Sequence, residues 1–213
     1  MRSAYDVLMA ARIDVPIPPG TRRTVQKRAN DRQGAMTEAA ARLLIEEGID
    51  AVTYRRVATA AGVPPGSATY YYPTRAALLA AAVTAAEDIR ATAAQDFADA
   101  LPVRARSARA TARLLIEVLF APHVDDSVVS DRLIPMITAL RDPELGQIMH
   151  ASWPRLHVAM ETALEASGFG RVDDVELLAH VVNSALLSAA SSGNTHVLDD
   201  AEETVARLLD RWC

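Results

Sequence analysis

Residues 53–75 contain the side chains best suited to hold an anionic partner. Thr53 stands at a predicted helix start, where its hydroxyl and the free backbone N–H groups can bind a phosphate. The tyrosines at 70–72 and the guanidinium group of Arg75 add hydrogen-bond donors in the same stretch. This combination suits the sugar-phosphate backbone of a nucleic acid, which proteins contact through such groups.

The elements that must position these side chains are two short helices joined by a tight turn. Thr53 caps the first helix, and Gly62 supplies the positive φ that commonly ends one. The prolines at 64–65 can open a second helix, which Pro73 stops. Thr74 then caps a third helix. This order predicts a helix-turn-helix, whose second helix enters the DNA major groove.

Base recognition is assigned to the exposed face of that second helix. The predicted contacts are Pro65, Gly66, Ser67 and Thr69. Because no arginine, asparagine or glutamine is among them, bidentate hydrogen bonds to bases are not expected. Recognition would then depend on thymine methyl groups, on close backbone approach and on DNA shape.

Between positions 36 and 79 the chain resembles the TetR family of bacterial transcriptional regulators. The residues that carry the resemblance are Glu47-Gly48, Thr53, Arg55, Val57-Ala58, Ala61-Gly62-Val63, Gly66, Tyr70-Tyr71-Tyr72, Thr74-Arg75 and Leu78. Three positions depart from the family pattern: Pro64 replaces the usual serine, Ala68 a large apolar residue and Thr69 a tyrosine. Phosphate contacts are therefore expected to transfer from the family more readily than base contacts.

The resemblance implies an all-α protein with an N-terminal three-helix helix-turn-helix DNA-binding module and a larger C-terminal helical ligand-binding and dimerisation domain. The expected divisions are a flexible arm at 1–21, the DNA-binding module at 22–79 and the ligand-binding domain at 80–213. The further DNA contacts that the resemblance implies are Arg55, Tyr70, Tyr71 and Arg75. Tyr72 is expected in the core. The implied protein is a homodimer that represses transcription at a palindromic operator and is released by a small-molecule effector, without a cofactor.

Composition and charge agree with this class. Half of the 213 residues are hydrophobic, many are alanine, and period-2 alternation is rare, which favours helices. Residues 1–78 contain 11 Lys or Arg against 7 Asp or Glu, whereas residues 79–213 contain 11 against 20. A basic module on an acidic body suits DNA binding, because phosphate neutralisation supplies most non-specific affinity.

The cysteine content and the apolar segments of the sequence limit which kinds of site and which cellular location are expected. A single cysteine, Cys213, excludes a disulfide framework and a cysteine-rich zinc site. The N-terminus lacks the apolar core of a signal peptide and no apolar run is long enough to span a membrane, so a cytoplasmic protein without membrane contact is expected.

After the Pro-rich segment 15–20, a group of basic residues forms either a solvated helix face or an arm that reaches the minor groove. These residues are Arg22, Arg23, Lys27, Arg28 and Arg32.

Helices predicted from patterning and capping complete the chain. The first runs from about residue 24 to 47, before the helix-turn-helix. After it, helices are expected at 74–100, 102–120, 127–141, 143–167, 173–192 and from 199 onward. Asp142 is a predicted N-cap, and Asp173 and Asp199 each begin a predicted capping box. Pro135 and Pro154 are expected to interrupt two of these helices.

The two proline-containing helices are the predicted ligand-binding region, because an internal proline removes a backbone hydrogen bond and opens space between helices. Candidate ligand contacts are Phe120, Met136, Met149, His150, Trp153, His157, Met160, His180 and Asn183. Met and aromatic residues at helical spacing would also form plain core, and that interpretation stays open. His150 and His157 lie on one helical face, but without cysteine or carboxylate companions at ligand spacing no metal site is predicted.

Self-association is predicted for the last two helices, which each have an apolar face. The candidate interface residues are Val181, Ala185, Ser188, Ala189, Val205, Leu208, Leu209 and Trp212. Some of these residues must pack within the chain. A dimer fits DNA recognition, because two recognition helices on a palindrome bury enough surface to be specific and one does not.

An enzyme is the competing hypothesis. The sequence has no nucleophile elbow, phosphate-binding loop or dinucleotide fingerprint, and no catalytic residue is predicted. Its acidic residues stand mostly at predicted helix starts, where the helix dipole accounts for them. The alternative is an all-α small-molecule-binding protein or enzyme with an incidental helix-turn-helix, which a DNA mobility-shift assay separates from a regulator.

Overall fold

The structure, a computed structural model, describes residues 19–122, 124–192 and 196–212, and within these ranges it is all-α without strands. This confirms the predicted fold class. The described helices are α1 (Pro19–Glu47), α2 (Tyr54–Ala60), α3 (Pro65–Tyr71), α4 (Arg75–Asp99), α5 (Ala108–Phe120), α6 (Asp126–Leu140), α7 (Pro143–Ser167), α8 (Val175–Ser191) and α9 (Val197–Trp212). A short 3-10 turn, Ile49–Ala51, connects α1 to α2. None of these described helices is both long and apolar enough to cross a bilayer.

Helices α1 to α3 and the first turns of α4 enclose a small core of their own. Its fully buried members include Met36, Val57, Ala68 and Leu78. Tyr72 closes this core with only 5% of its surface exposed, and its hydroxyl shares a 2.6 Å hydrogen bond with the hydroxyl of Thr37. The predicted core role of Tyr72 is therefore confirmed, and its phenol ties α1 to the end of the recognition helix.

The turn between α2 and α3 depends on Gly62, whose φ is +64°. The N–H of Gly62 donates to the carbonyl of Thr59 at 3.1 Å, and the N–H of Val63 donates to the carbonyl of Ala58 at 3.0 Å. This pair of bonds is a Schellman motif, which satisfies carbonyls that the helix end leaves open. Helix α3 then begins at Pro65, as predicted.

Helices α4 to α9 form the body of the molecule around one larger core. Helix α4 belongs to both parts: Ala82 lies in the core of the DNA-binding module, and Ala91 and Ala98 lie in the core of the body. A third cluster joins the end of α1 to the body, and its buried members are Val83, Leu145 and Met149. One continuous helix therefore connects the two parts of the chain.

Two predicted helix starts are wrong. Helix α1 begins at Pro19 rather than near residue 24, and so extends into the predicted flexible arm, of which residues 1–18 lie outside the described residues. Helix α5 begins at Ala108 rather than at 102, with Ser107 as its cap. The segment before it is held at the end of α7, where the N–H of Arg106 donates to the carbonyl of Ser167 at 3.0 Å.

Both predicted aspartate capping boxes are also wrong. The N-cap of α8 is Asp174 rather than Asp173. Helix α9 begins at Val197, before the predicted start at 199, and the carboxylate of Asp126 accepts the N–H of Leu198 at 2.8 Å. Because Asp126 stands at the start of α6, a side chain from another helix does the capping.

Candidate nucleic-acid interface and ligand cavity

The N-terminus of α2 has the geometry expected of a phosphate contact. Thr53 is extended, and its hydroxyl oxygen accepts the N–H of Arg56 at 3.3 Å, so it caps the helix as predicted. Val52 and Val57 are buried on either side, as a hydrophobic staple requires. Backbone N–H groups in the first turn have no acceptor within the helix, so an anion placed there would be favoured by them and by the helix dipole.

Two neighbouring arginines on α2 differ in what they can bind. The guanidinium group of Arg56 is bound to both carboxylate oxygens of Glu47 at 2.5 Å. That hydrogen bond holds the pKa of Glu47 below its ordinary value of 4.5. Arg55 is exposed, and among the described residues it has no ion-pair partner. Of the two, Arg55 is the one whose charge is available to DNA.

Helix α3 presents a small, mostly uncharged surface. Gly66 and Thr69 are exposed, Ser67 is half-buried, and the intervening Ala68 is completely buried in the module's core. The side chain of Pro65 lies outside what the structure describes. The hydroxyl of Thr69 donates to the carbonyl of Gly66 at 3.0 Å, so its hydrogen is already used inside the helix. The methyl group of Thr69 and the acceptor lone pairs of its hydroxyl oxygen are the parts left to make a specific contact.

The predicted tyrosine and arginine contacts extend this surface to the start of α4. Tyr70 is 80% exposed, and its ring packs edge-on against the half-buried ring of Tyr71, with the ring centres 5.1 Å apart. Arg75 is exposed in the first turn of α4, where Thr74 caps the helix by accepting the N–H of Ala77 at 3.1 Å. The candidate DNA surface thus continues directly into the helix that enters the body.

A cavity of about 240 Å³ lies inside the body, between helices α4 to α8. Helices α6 and α7 run through Pro135 and Pro154 without ending, so the predicted interruptions are not breaks. The predicted ligand residues that line this inner cavity are Phe120, Met136, Met149, Trp153, His157, His180 and Asn183. Of the other two predicted residues, Met160 is completely buried in the main core, and His150 is exposed outside the cavity.

Trp153 forms one wall of the inner cavity and contacts the rings of two histidines. Its ring centre lies 4.5 Å from that of His150 and 5.6 Å from that of His180, which it meets edge-on. The Nδ1 atom of His150 is 2.6 Å from the carbonyl oxygen of Gly146, one helical turn earlier. His150 therefore orients the tryptophan without reaching the cavity itself.

A charged pair in the wall of this cavity was not predicted from the sequence. Arg90 donates to the carboxylate of Glu87 at 2.8 Å and to the carbonyl of Leu119 at 3.1 Å. The other carboxylate oxygen of Glu87 accepts the hydroxyl of Ser152 on α7. The Nε atom of Arg90 is buried without an acceptor in the described part of the chain. The i, i+3 spacing of the pair on α4 can be read from the sequence, but a solvent-exposed ion pair has the same spacing, so the sequence does not indicate burial.

The predicted dimer residues divide into two groups. Val205 and Leu209 are completely buried within one protomer, and Ala185 and Ala189 are nearly so, because α8 and α9 pack against each other and the body. Val205 and Leu209 thus make their contacts within the protomer. The accessible members are Val181, Ser188, Leu208 and Trp212. Leu177, at 46% exposure, extends the same face of α8.

Comparison with known proteins identifies the N-terminal module. Residues 36–82 match the family model described as bacterial regulatory proteins, tetR family. The resemblance found between positions 36 and 79 is thereby confirmed. No curated protein sequence matches the chain.

Several solved structures have the same fold over most of their length. The multidrug binding protein EbrR, in a crystal structure with proflavin, is 23% identical, with 85% of this chain and 99% of that chain covered and a TM-score of 0.60. SCO7518 from Streptomyces coelicolor A3(2), a candidate transcriptional regulator, is 26% identical over 83% and 97% of the two chains, with a TM-score of 0.55. A candidate TetR-family transcriptional regulator from Mesorhizobium loti MAFF303099 is 19% identical over 87% and 96%, with a TM-score of 0.59. The fold supports a DNA-binding transcriptional regulator.

Proposed function

We propose that this chain, whose residues 36–82 belong to the TetR family of bacterial regulatory proteins, is a transcriptional repressor. It binds a palindromic operator as a homodimer in the cytoplasm and is released by a small-molecule effector. The observation that carries the proposal is the exposed surface of α3, with Thr69 and Tyr70 accessible while Ala68 faces the core. Arg55 and Arg75 flank that surface, and both are exposed.

The chemistry of each side chain determines whether it contacts phosphates or bases. Arg55, Arg75 and the N-terminus of α2 hold phosphates, which fixes the orientation of the module without reading sequence. Thr69 offers a methyl group and Gly66 a bare backbone, so bases are recognised through thymine methyls and through close approach. This weak direct recognition makes the shape of the DNA an important part of the specificity.

A homodimer supplies the second recognition helix. Leu177, Val181, Ser184 and Ser188 lie along one side of α8 and line a shallow surface groove between α8 and α9. Trp212 is partly exposed at the end of α9. Small side chains allow two such faces to approach closely, and a stable interface of this kind buries roughly 800 Å² on each protomer. The resulting two-fold axis matches a palindrome.

Effector binding is assigned to the inner cavity. Trp153 gives it an aromatic wall, and Asn183 and His157 provide polar groups that can fix the orientation of a ligand. EbrR, which has a similar fold, has been crystallised in complex with proflavin, a planar aromatic molecule. This complex supports an aromatic effector here as well. Glu87 and Arg90 on α4 line the cavity, so a ligand that moves them also moves the helix that carries Arg75.

Selection of binding sites from random DNA by the purified full-length protein tests this proposal. We expect enrichment of palindromes whose half-sites are separated by about one helical turn or a multiple of it. A control protein with Arg55→Glu and Arg75→Glu, both at exposed positions, should enrich nothing. Failure of the unaltered protein to enrich any sequence, while it still binds aromatic ligands, would instead favour the small-molecule-binding protein or enzyme.

A further inference from the structure

A second cavity, which we call the outer cavity, lies where the DNA-binding module meets the body. Its volume is about 340 Å³, somewhat larger than that of the inner cavity. One side is formed by the end of α1 and the 3-10 turn, from Leu44 to Asp50. The opposite side is formed by α4, the end of α5, α6 and α7. Anything bound in it would touch the DNA-binding module and the body at once.

The floor and the rim of the outer cavity differ in chemistry. The floor is apolar and includes Val83, Phe120, Met136 and Met149. The rim carries carboxylates at Glu46, Glu47 and Asp50, and Glu87 lies deeper on α4. Apolar walls with charges confined to the opening suit a ligand that is hydrophobic at one end and charged at the other.

The charge that such a ligand must carry follows from the pairing of these carboxylates. Glu47 is neutralised by Arg56, and Glu87 by Arg90. Glu46 and Asp50 are exposed and have no ion-pair partner among the described residues. Two uncompensated negative charges therefore remain at the opening, and the one cationic side chain among the described lining residues, Arg90, is paired with Glu87.

We propose that the outer cavity binds a hydrophobic organic cation, with its apolar part on the floor and its positive charge between Glu46 and Asp50. This site adjoins the inner effector cavity but is also lined by residues 44–50, which do not line the inner cavity. The two cavities share five side chains in their common wall: Glu87, Arg90, Phe120, Met136 and Met149. A ligand in one therefore changes the shape of the other, and by linkage each ligand alters the affinity for the other by the same factor.

The regulatory consequence rests on the proposed function, but the binding site does not. A cation wedged between the end of α1 and α4 would change the orientation of the DNA-binding module relative to the body. Such a ligand would act on operator affinity directly, without the displacement of α4 that the inner cavity requires. Binding can be measured without DNA, so a chain that never binds an operator still tests the site.

Titration of the full-length protein with a fluorescent dye tests the proposal. The probes are proflavin, which is a planar cation, acridine, which has the same ring system and is uncharged in mildly alkaline buffer, and the anion 9-anthracenecarboxylate. We expect proflavin to bind more tightly than either of the others. In the variant Glu46→Gln/Asp50→Asn, proflavin affinity should fall by roughly three- to tenfold, because two exposed attractive charges are lost. The matched control Glu161→Gln/Glu165→Gln, which removes two exposed carboxylates from α7, should leave it unchanged.

Two blocking variants locate the dye. Ala139 lines only the outer cavity, whereas Asn183 lines only the inner one. Ala139→Phe should abolish the charge-dependent binding of proflavin, and Asn183→Phe should preserve it. Loss of that binding in Asn183→Phe but not in Ala139→Phe would overturn the proposal, as would equal affinity for the cation and the anion. A circular dichroism melt of each variant confirms that it is folded.

Discussion

Removing the charge of Arg90 should destabilise the protein more than any exposed ion pair would. Its side chain is 13% exposed and that of Glu87 is 9% exposed, so this pair lies largely out of water. Among the described residues, Arg90→Met leaves the carboxylate of Glu87 with only the hydroxyl of Ser152, and it removes the arginine donor from the carbonyl of Leu119. Breaking a buried pair in this way lowers the free energy of unfolding by ~3–5 kcal/mol. The loss is reduced by up to about 2 kcal/mol, because the substitution also removes the buried Nε that has no acceptor in the described part of the chain.

We therefore expect Arg90→Met to lower the free energy of unfolding by about 3 kcal/mol and the melting temperature by roughly 6–12 °C. The double variant Glu87→Leu/Arg90→Met removes both charges and should come within about 1 kcal/mol of the unaltered protein. Urea unfolding at a fixed protein concentration measures all the variants, since dimerisation makes stability depend on concentration. An Arg90→Met protein as stable as wild type, or a double variant that is less stable than the single one, would refute the buried-pair argument.

Three further predictions concern single side chains. Trp153→Ala should weaken aromatic-ligand binding while costing less than about 3 kcal/mol of stability, since the ring is only half-buried; a larger loss by urea unfolding would make it a core residue. Thr69→Ser keeps the hydroxyl bond to Gly66 but removes the methyl group, so binding-site selection should show relaxed preference at one or two positions per half-site and an affinity loss of ~1–3 kcal/mol. Because Arg56 lowers the pKa of Glu47, their pair stabilises the fold above the ordinary pKa of 4.5 and is lost as pH falls through the lowered value. In Arg56→Ala an NMR titration should return the pKa of Glu47 toward 4.5, and an unmoved value would show that Arg56 is not its cause.

Local signals were sufficient to predict α2, α3 and the turn between them. Thr53 and Thr74 cap their helices through bonds to N–H groups three residues later, and Gly62 adopts the positive φ expected of it. Each of these features depends on residues within one helical turn, so neighbouring sequence specifies them. The boundaries of α2 and α3 follow from the same short-range rules.

The errors arose where distant parts of the chain meet. The start of α9 depends on Asp126, which lies 72 positions earlier in the sequence, so no local capping box indicated it. Likewise, Arg106 stabilises an extended segment through carbonyls at the end of α7. Amphipathic patterning marked Val205 as interfacial, but it cannot distinguish a face that packs inside the protomer from one that packs on a second copy.

Only some of the residues predicted to contact a ligand line the inner cavity, again because the packing of distant helices decides which side chains face it. Met160 and Met149 look alike in sequence, yet Met160 points into the main core while Met149 lines both cavities. Glu87 and Arg90 resemble an ordinary surface pair at i, i+3, and only the packing of α4 against α7 buries them. Which face of a helix is covered depends on neighbours that periodicity alone does not identify.

The salt dependence of operator binding tests the central claim most directly, because it counts the phosphates that each arginine holds. Arg55 and Arg75 are exposed without ion-pair partners in the described parts of the chain, whereas Arg56 is held by Glu47. In fluorescence anisotropy titrations over a range of salt concentrations, Arg55→Gln and Arg75→Gln should each reduce the slope of log affinity against log salt by about 0.9 per protomer, or about 1.8 per dimer. Arg56→Gln should leave the slope near that of the unaltered protein. Unchanged slopes for Arg55→Gln and Arg75→Gln would contradict the DNA-binding surface described for α2, α3 and α4.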